Sequence, residues 1–240
     1  MENSMGETGE RGLAGYRRYA IYVVPEGGFH DAGTAWLGWD ALAGRAVAPP
    51  HLSGLPGPPE PLTATPRKYG FHGTVKPPFR LADGMDAQGL HAALQAFCAE
   101  SAAVTLPGLA VRRLGGFVAV VPEAPSAALA DLAGATVAAL DRFRAPPTEA
   151  DLARRRKAGL TARQNDLLAR WGYPYVMEEF RFHLTLTGRL PGAQADRARA
   201  ALADYLDPVL PRPWSIDSLC LLGEAEDGRF HVLRRCPLTG

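Results

Sequence analysis

The amino-acid sequence predicts an α+β fold built from two similar lobes, and three observations carry that prediction. The tetrapeptides Phe71-His72-Gly73-Thr74 and Phe182-His183-Leu184-Thr185 match each other, and each sits in an apolar, β-prone run. About 110 residues separate them, the spacing of one unit that occurs once in each half of the chain. Around them the expected elements follow one order twice: helix, motif strand, helix and closing strands. That order groups strands together instead of alternating them singly with helices, so it does not describe a parallel α/β sheet.

Residues 1–17 are polar and aperiodic and are expected to form a disordered tail. Tyr19-Ala20-Ile21-Tyr22-Val23-Val24 reads as a first strand, stopped by Pro25 and a Gly27-Gly28 turn. Residues 31–44 place Trp36, Leu37 and Leu42 near helical spacing, with Asp31 able to cap the start. The prolines and glycines of residues 47–66 predict a surface loop. The first motif strand is expected at 69–76, ending at Pro77-Pro78. A helix at 86–101 rests on Leu90, Leu94 and Phe97. Strands at 103–113 and 116–122 flank a Gly115-Gly116 turn, and an apolar helix covers 126–143. Residues 145–173 break this rhythm and read as a helical insertion. The second motif strand is placed at 179–188, followed by a helix at 192–206 and closing strands at 214–223 and 228–235. Residues 18–240 are thus expected to form a single two-lobed domain that carries the insertion.

In a strand, residues i and i+2 project to the same face, so each His stands beside its own Thr. Two imidazoles and two hydroxyls in one cleft suffice for acid–base chemistry on a phosphodiester. One neutral imidazole takes a proton while the other, as imidazolium, protonates the leaving oxygen. The ordinary histidine pKa near 6.5 suits both tasks, and each well-placed group is worth about 10²–10⁴-fold. Thr74 and Thr185 can donate hydrogen bonds to the non-bridging phosphoryl oxygens. The scheme needs no metal and no other cofactor. A bare His-x-Thr is a weak signal, and the weight comes from its doubling in matching contexts. Phe230-His231-Val232-Leu233 lacks the hydroxyl, so His231 reads as an ordinary strand or surface histidine.

The same parity places Lys76 on the face of His72, and Arg181 and Thr187 on the face of His183. Lys76 and Arg181 are therefore candidate phosphate-binding cations, with solvated edge charges as the alternative. Tyr22, Tyr69 and Tyr175 could stack on a base or hydrogen-bond a phosphate, with core packing as the competing role. The run Arg154-Arg155-Arg156-Lys157 reads as the exposed face of a helix or as an anion patch.

At 240 residues the chain can bury a sizeable core. Its 26 basic and 25 acidic residues leave a net charge of +1, so no global field favours wrapping nucleic acid or an anionic membrane. An anionic ligand must be held by a local patch. Cys98, Cys220 and Cys236 show no Cys-x-x-Cys spacing, and the sequence has no signal peptide and no apolar run of spanning length. Reduced thiols, a cytoplasmic location and no membrane partner are expected.

Two His-x-Thr strands in repeated α+β halves resemble the 2H phosphoesterase superfamily, which includes RNA 2′,3′-cyclic phosphodiesterases and 2′-5′ RNA ligase-like proteins. The strings RKYGFHGTVKPPFRL and GLTARQNDLLARWGYPYVMEEFRFHLTLTGRL are similar, more narrowly, to a branch of phosphonate-metabolism proteins of unknown function. The likeness covers residues 18–237. It implies antiparallel sheets with flanking helices, related by a pseudo-twofold axis, whose His-Thr strands face each other across a central groove. It also implies that His72 and His183 are the catalytic pair, that Thr74 and Thr185 bind phosphate, and that the reaction is metal-independent hydrolysis or transfer at a cyclic phosphodiester. Gly73 departs from the apolar residue often found between His and Thr, which bears on packing. The expected partner is a small phosphorylated sugar or nucleotide, acted on by a monomer, with a place in phosphonate metabolism. RNA 2′,3′-cyclic end processing, a ligase-like activity and a non-catalytic phosphate-binding module are the alternatives. A metal centre ranks last, because His72 and His183 lack carboxylate or Cys partners at useful spacing.

Overall fold

A computed structural model describes residues 11–157 and 159–240. Its first strand is β1 (Arg18–Val23), a run of aromatic and β-branched residues suited to a pleated, buried surface. The two faces of β1 enter different cores. Tyr19, Ile21 and Val23 join the main hydrophobic core, while Ala20 and Tyr22 join a smaller one with Trp39, Cys220, Leu222 and Phe230. This alternation sets up the whole molecule: one sheet face is covered by helices, and the other carries Tyr22 and the His-Thr pairs.

The chain continues through α1 (Gly27–Leu37), β2 (Trp39–Asp40), β3 (Arg45–Ala46), α2 (Pro59–Arg67), β4 (Gly73–Phe79) and α3 (Ala87–Ala99). Next come β5 (Val104–Leu106), β6 (Leu109–Leu114), β7 (Phe117–Pro122), α4 (Ala127–Ala139), α5 (Glu149–Arg156) and α6 (Ala162–Trp171). The chain ends with β8 (Leu184–Thr185), α7 (Gly192–Leu206), β9 (Trp214–Ile216), β10 (Ser218–Glu224) and β11 (Phe230–Pro237). Seven strands form one antiparallel sheet in the order β11-β10-β1-β4-β8-β7-β6. Two small two-stranded sheets, β2-β3 and β5-β9, flank it. The fold is the α+β, antiparallel class that the sequence predicts. The motif strands β4 and β8 are direct neighbours in one sheet, joined where Gly73 pairs with Leu184. Leu90 and Leu94 of α3, Leu129 and Leu132 of α4, and Leu202 and Leu206 of α7 fill the main core on the helical face.

Several local expectations need correction. Residues 1–10 of the expected tail lie outside the described residues, but 11–17 are docked. Leu13 is buried, its carbonyl accepts the Tyr19 hydroxyl at 2.8 Å, and the Tyr16 ring lies where a Cβ on Gly223 would stand 2.4 Å away. The expected turn at Gly27-Gly28 is instead the start of α1. That helix stops at Gly38, whose φ of 78° provides a left-handed C-cap, so 39–46 folds as a hairpin and Leu42 stays 51% exposed. Part of the expected 47–66 loop is α2, because Pro58 and Pro59 fall at its N-terminus, where a missing N–H is harmless.

β4 continues through Pro77-Pro78, because its pairing with β1 is irregular there and the prolines need not donate to the ladder. The expected strand 103–113 breaks at Pro107-Gly108 into β5 and β6, and 214–223 breaks at Asp217 into β9 and β10. β5 and β9 leave the main sheet and pair with each other. The second motif strand is only Leu184–Thr185, preceded by a 3₁₀ turn at Met177–Glu179. Residues 145–173 contain α5 and α6, each opened by a capping box, Thr148 with Asp151 and Thr161 with Gln164. Leu167 of α6 packs with Val137 of α4 and with Val176, which ties this segment to the body of the protein.

Candidate active site

The first imidazole is fixed from the backbone upward. Gly70 adopts a φ of +73°, and a Cβ there would come within 2.7 Å of the Ala41 Cβ, so the position calls for glycine. The Gly70 carbonyl accepts a hydrogen bond from Nδ1 of His72 at 2.9 Å. A carbonyl can only accept, so Nδ1 carries the proton and Nε2 is left with a lone pair, 3.1 Å from the Thr74 hydroxyl. Tyr22, which pairs with Thr74 across β1 and β4, stacks on the imidazole at 3.8 Å between centroids. Tyr69 leans on the same ring at 5.9 Å. Part of the ring surface stays open to the cleft, yet burial pushes the His72 pKa down to about 4; the Gly70 bond opposes this and the nearby His183 adds to it.

The second imidazole repeats the device. His183 donates from Nδ1 to the Arg181 carbonyl at 2.7 Å, which leaves Nε2 free of that bond. Leu184 pairs with Gly73 on one side and with Val120 on the other, so the sheet register brings the His183-Thr185 pair alongside the His72-Thr74 pair. The motif phenylalanines anchor both strands in the main core. Each of their rings occupies space opened by a glycine: a Cβ on Gly33 would stand 2.2 Å from the Phe71 ring, and one on Gly73 would stand 2.2 Å from the Phe182 ring. Gly73 is thus a packing requirement on the face opposite the two imidazoles.

His72, Thr74, His183 and Thr185 line one cleft of about 310 Å³. Tyr22, Tyr69 and Tyr173 form part of its wall, and Arg18 and Arg155 supply positive charge. Arg18 makes a two-point contact with Glu224, at 2.5 and 2.7 Å. Arg155 lies over the Tyr173 ring at 4.6 Å. Sequence reasoning missed Arg18 and Tyr173. Arg18 was within reach, since it stands four residues before Tyr22 on the same strand face. Arg155 was legible only as one member of a charged run, because the docking of α5 decides which of those side chains turns inward.

Three sequence candidates lie elsewhere. Lys76 is only 2% exposed and donates from Nζ to the Val137 carbonyl at 3.1 Å and to Asp141 at 3.4 Å. Thr74 pairs with Tyr22 and Lys76 with Ile21, so Val75 is an extra residue, and this bulge moves Lys76 to the helical face. There it caps the carbonyl end of α4, where a cation is favoured, and burial lowers its pKa to about 8. Arg181 is exposed and turns back onto the carbonyls of Glu178 and Phe180. Residues 179–183 are not a strand, so the period-two argument does not reach it. Tyr175 is 43% exposed and meets Tyr173 edge-on at 5.7 Å, while Tyr173 takes the cleft position. Thr187 is buried, and its hydroxyl accepts from the Val118 N–H and donates to the Gly188 carbonyl.

His231 lies in β11 and is not part of the cleft. The three cysteines are buried and free. Among the described residues no three His, Cys, Asp or Glu side chains cluster to hold a metal ion, and no helix is long and apolar enough to cross a membrane.

Residues 74–231, which take in three of these four cleft residues, match the family described as "Protein of unknown function (DUF1045)". The chain belongs to this family. Among curated proteins, this DUF1045 protein is similar to the ribose 1,5-bisphosphate phosphokinase PhnN of Janthinobacterium sp. (strain Marseille), at 40% identity over 231 residues. That match covers 93% of this chain and 51% of the relative. PhnN of Laribacter hongkongensis (strain HLHK9) is 38% identical over 224 residues, covering 92% of this chain and 51% of that protein. The DUF1045 chain therefore spans about half the length of the curated relatives it matches. Among solved structures, E. coli LigT complexed with NADP+ is 13% identical with a TM-score of 0.47, covering 95% of this chain and all of that one (100%).

Proposed function

We propose that this DUF1045 protein is a phosphodiesterase that opens a cyclic phosphodiester of a small sugar phosphate or nucleotide by paired-histidine acid–base catalysis, without a metal ion. One observation carries the reading: two His-Thr pairs line one cleft, and each imidazole is tied through Nδ1 to a backbone carbonyl. Nε2 of each ring is thereby left for proton transfer in a fixed orientation. Burial keeps Nε2 of His72 unprotonated at neutral pH, so His72 is assigned as the base and His183 as the acid. Water attacks phosphorus and gives its proton to Nε2 of His72. The bond from phosphorus to one ring oxygen breaks, and the imidazolium of His183 protonates that oxygen. The product is an open phosphomonoester beside a free hydroxyl. The anionic substrate, once beside His72, raises that ring's proton affinity toward the range where it exchanges protons readily. Thr74 and Thr185 can rotate their hydroxyls to donate to the non-bridging oxygens as charge builds there.

The curated relatives bear the name of a kinase acting on a sugar with two phosphates. The present sequence has no Gly-x-x-x-x-Gly-Lys-Ser/Thr phosphate loop, and its cleft offers two imidazoles, so ester hydrolysis is the reaction assigned to this chain. Those names, with the motif strings around His72 and His183, support a sugar phosphate as the substrate class and phosphonate metabolism as its setting. The test is purified protein, with chelator present, against ribose 2,3-cyclic phosphate and nucleoside 2′,3′-cyclic phosphates. Turnover should fall by about 10²–10⁴-fold in His72→Ala and in His183→Ala. Equal inactivity of wild type and both variants across the panel would remove the reading.

A further inference from the structure

A second pocket of about 420 Å³ opens beside the catalytic cleft, and Arg18, Tyr69 and Arg155 line both. The cleft and this bay therefore adjoin, with Arg155 on the wall they share. Lys68, Arg80 and Arg154 add three more cations to the bay. Two carboxylates serve the five positive groups. Glu224 is taken by Arg18, and Asp151 is shared by Arg80 at 2.8 Å and Arg154 at 2.7 Å. Five cations against two carboxylates leave a local charge of +3, in a chain whose net charge is only +1.

The uncompensated groups are the informative ones. Arg155 is half-buried over the Tyr173 ring at 4.6 Å, and Lys68 lies over the Tyr69 ring at 4.9 Å. Neither has an ion-pair partner among the described residues. Both are braced by an aromatic wall, which holds the cation in place without neutralising it. A half-buried guanidinium without a counter-ion is costly to maintain, and an anion entering the bay relieves that cost. Planar guanidinium groups match the oxygens of a phosphate in two-point contacts. Because Arg155 lines both spaces, a molecule with one phosphate in the cleft can present a second anionic group to it.

We infer that this bay is a second anion subsite, centred on Arg155, for a phosphomonoester that the substrate carries on a carbon remote from its cyclic phosphodiester. The inference rests on the catalytic reading above and narrows its substrate class to a doubly phosphorylated small molecule. Arg155 and Lys68 bind the remote phosphate, and Arg80 and Arg154 hold Asp151 so that α5 presents Arg155 inward.

Two measurements on the full chain test it. Titration calorimetry compares ribose 2-phosphate with ribose 2,5-bisphosphate, neither of which contains a bond the cleft would open. The second phosphate should tighten Kd by about 10- to 100-fold, the range of hydrogen bonds to a charged group. Arg155→Gln and, independently, Lys68→Gln should shrink that advantage in protein that unfolds at the wild-type temperature. Equal affinity for the two ligands, or an advantage unchanged in both variants, overturns the subsite. Kinetics with ribose 2,3-cyclic phosphate, with and without a 5-phosphate, then reads the same ratio in kcat/KM. Failure to turn over either compound would sink the catalytic reading, while the calorimetry would still decide the subsite. A short RNA with a 2′,3′-cyclic end that competes better than the bisphosphate would also overturn the proposal, by assigning the bay to a polynucleotide backbone.

Discussion

Lowering the pH probes the state of His72 directly. The ring is packed against Tyr22 and Tyr69, and burial moves its pKa from 6.5 to about 4. As pH falls through 6.5 the unfolded chain takes up a proton that the folded ring refuses, so the folded state loses stability. The loss continues down to about pH 4, where the native ring is protonated as well, and then levels off. At about 1.36 kcal/mol per pH unit, this interval sets an upper bound of about 3 kcal/mol. Solvent at the exposed part of the ring lowers the realised figure. Urea midpoints measured between about pH 7 and pH 4 in wild type and His72→Gln read the effect, and the variant should show a shallower decline. Ring resonances of His72, assigned by their loss in the same variant, should titrate near 4. If His72 is the catalytic base, the acid limb of kcat/KM falls at that value too. A midpoint near 6.5 for His72, or identical pH slopes in the two proteins, would refute the burial argument.

Two further substitutions test the packing that positions the site. Gly73→Ala places a Cβ 2.2 Å from the Phe182 ring and should destabilise the protein by about 1–3 kcal/mol, with Phe182→Leu recovering part of the loss in a double-mutant thermal melt. Lys76→Met should leave kcat/KM on a cyclic phosphate unchanged, because the amine caps α4 on the far face and Asp141 keeps its two contacts to Arg144. A large loss of activity in a stably folded Lys76→Met protein would return Lys76 to the cleft.

The difference between Lys76 and Arg155 shows where reading the sequence runs out. Pairing His72 with Thr74 and His183 with Thr185 needs only a two-residue stretch of local geometry, and both pairs reach the cleft. Carrying the same parity two residues further to Lys76 fails, because β1 imposes a bulge at Val75 that depends on the partner strand. Carrying it two residues backward to Arg181 fails, because the strand has not yet begun. Tyr22 was legible as a cleft candidate, and its stacking on His72 follows from the pairing of Tyr22 with Thr74. Gly73 looked like a departure from pattern until Phe182, more than a hundred residues away, was seen to occupy the space it leaves.

By itself, the sequence determined the α+β order, the doubled His-Thr motif and the absence of a global charge to hold an anion. These are properties of composition and of short-range periodicity, which act within a few residues. The tertiary structure alone decided that the two motif strands pair edge to edge, that a bulge withdraws Lys76, and that α5 turns Arg155 toward the cleft. Strand register and helix docking are set by contacts between segments far apart in the chain, and no local pattern encodes which cation faces the cleft.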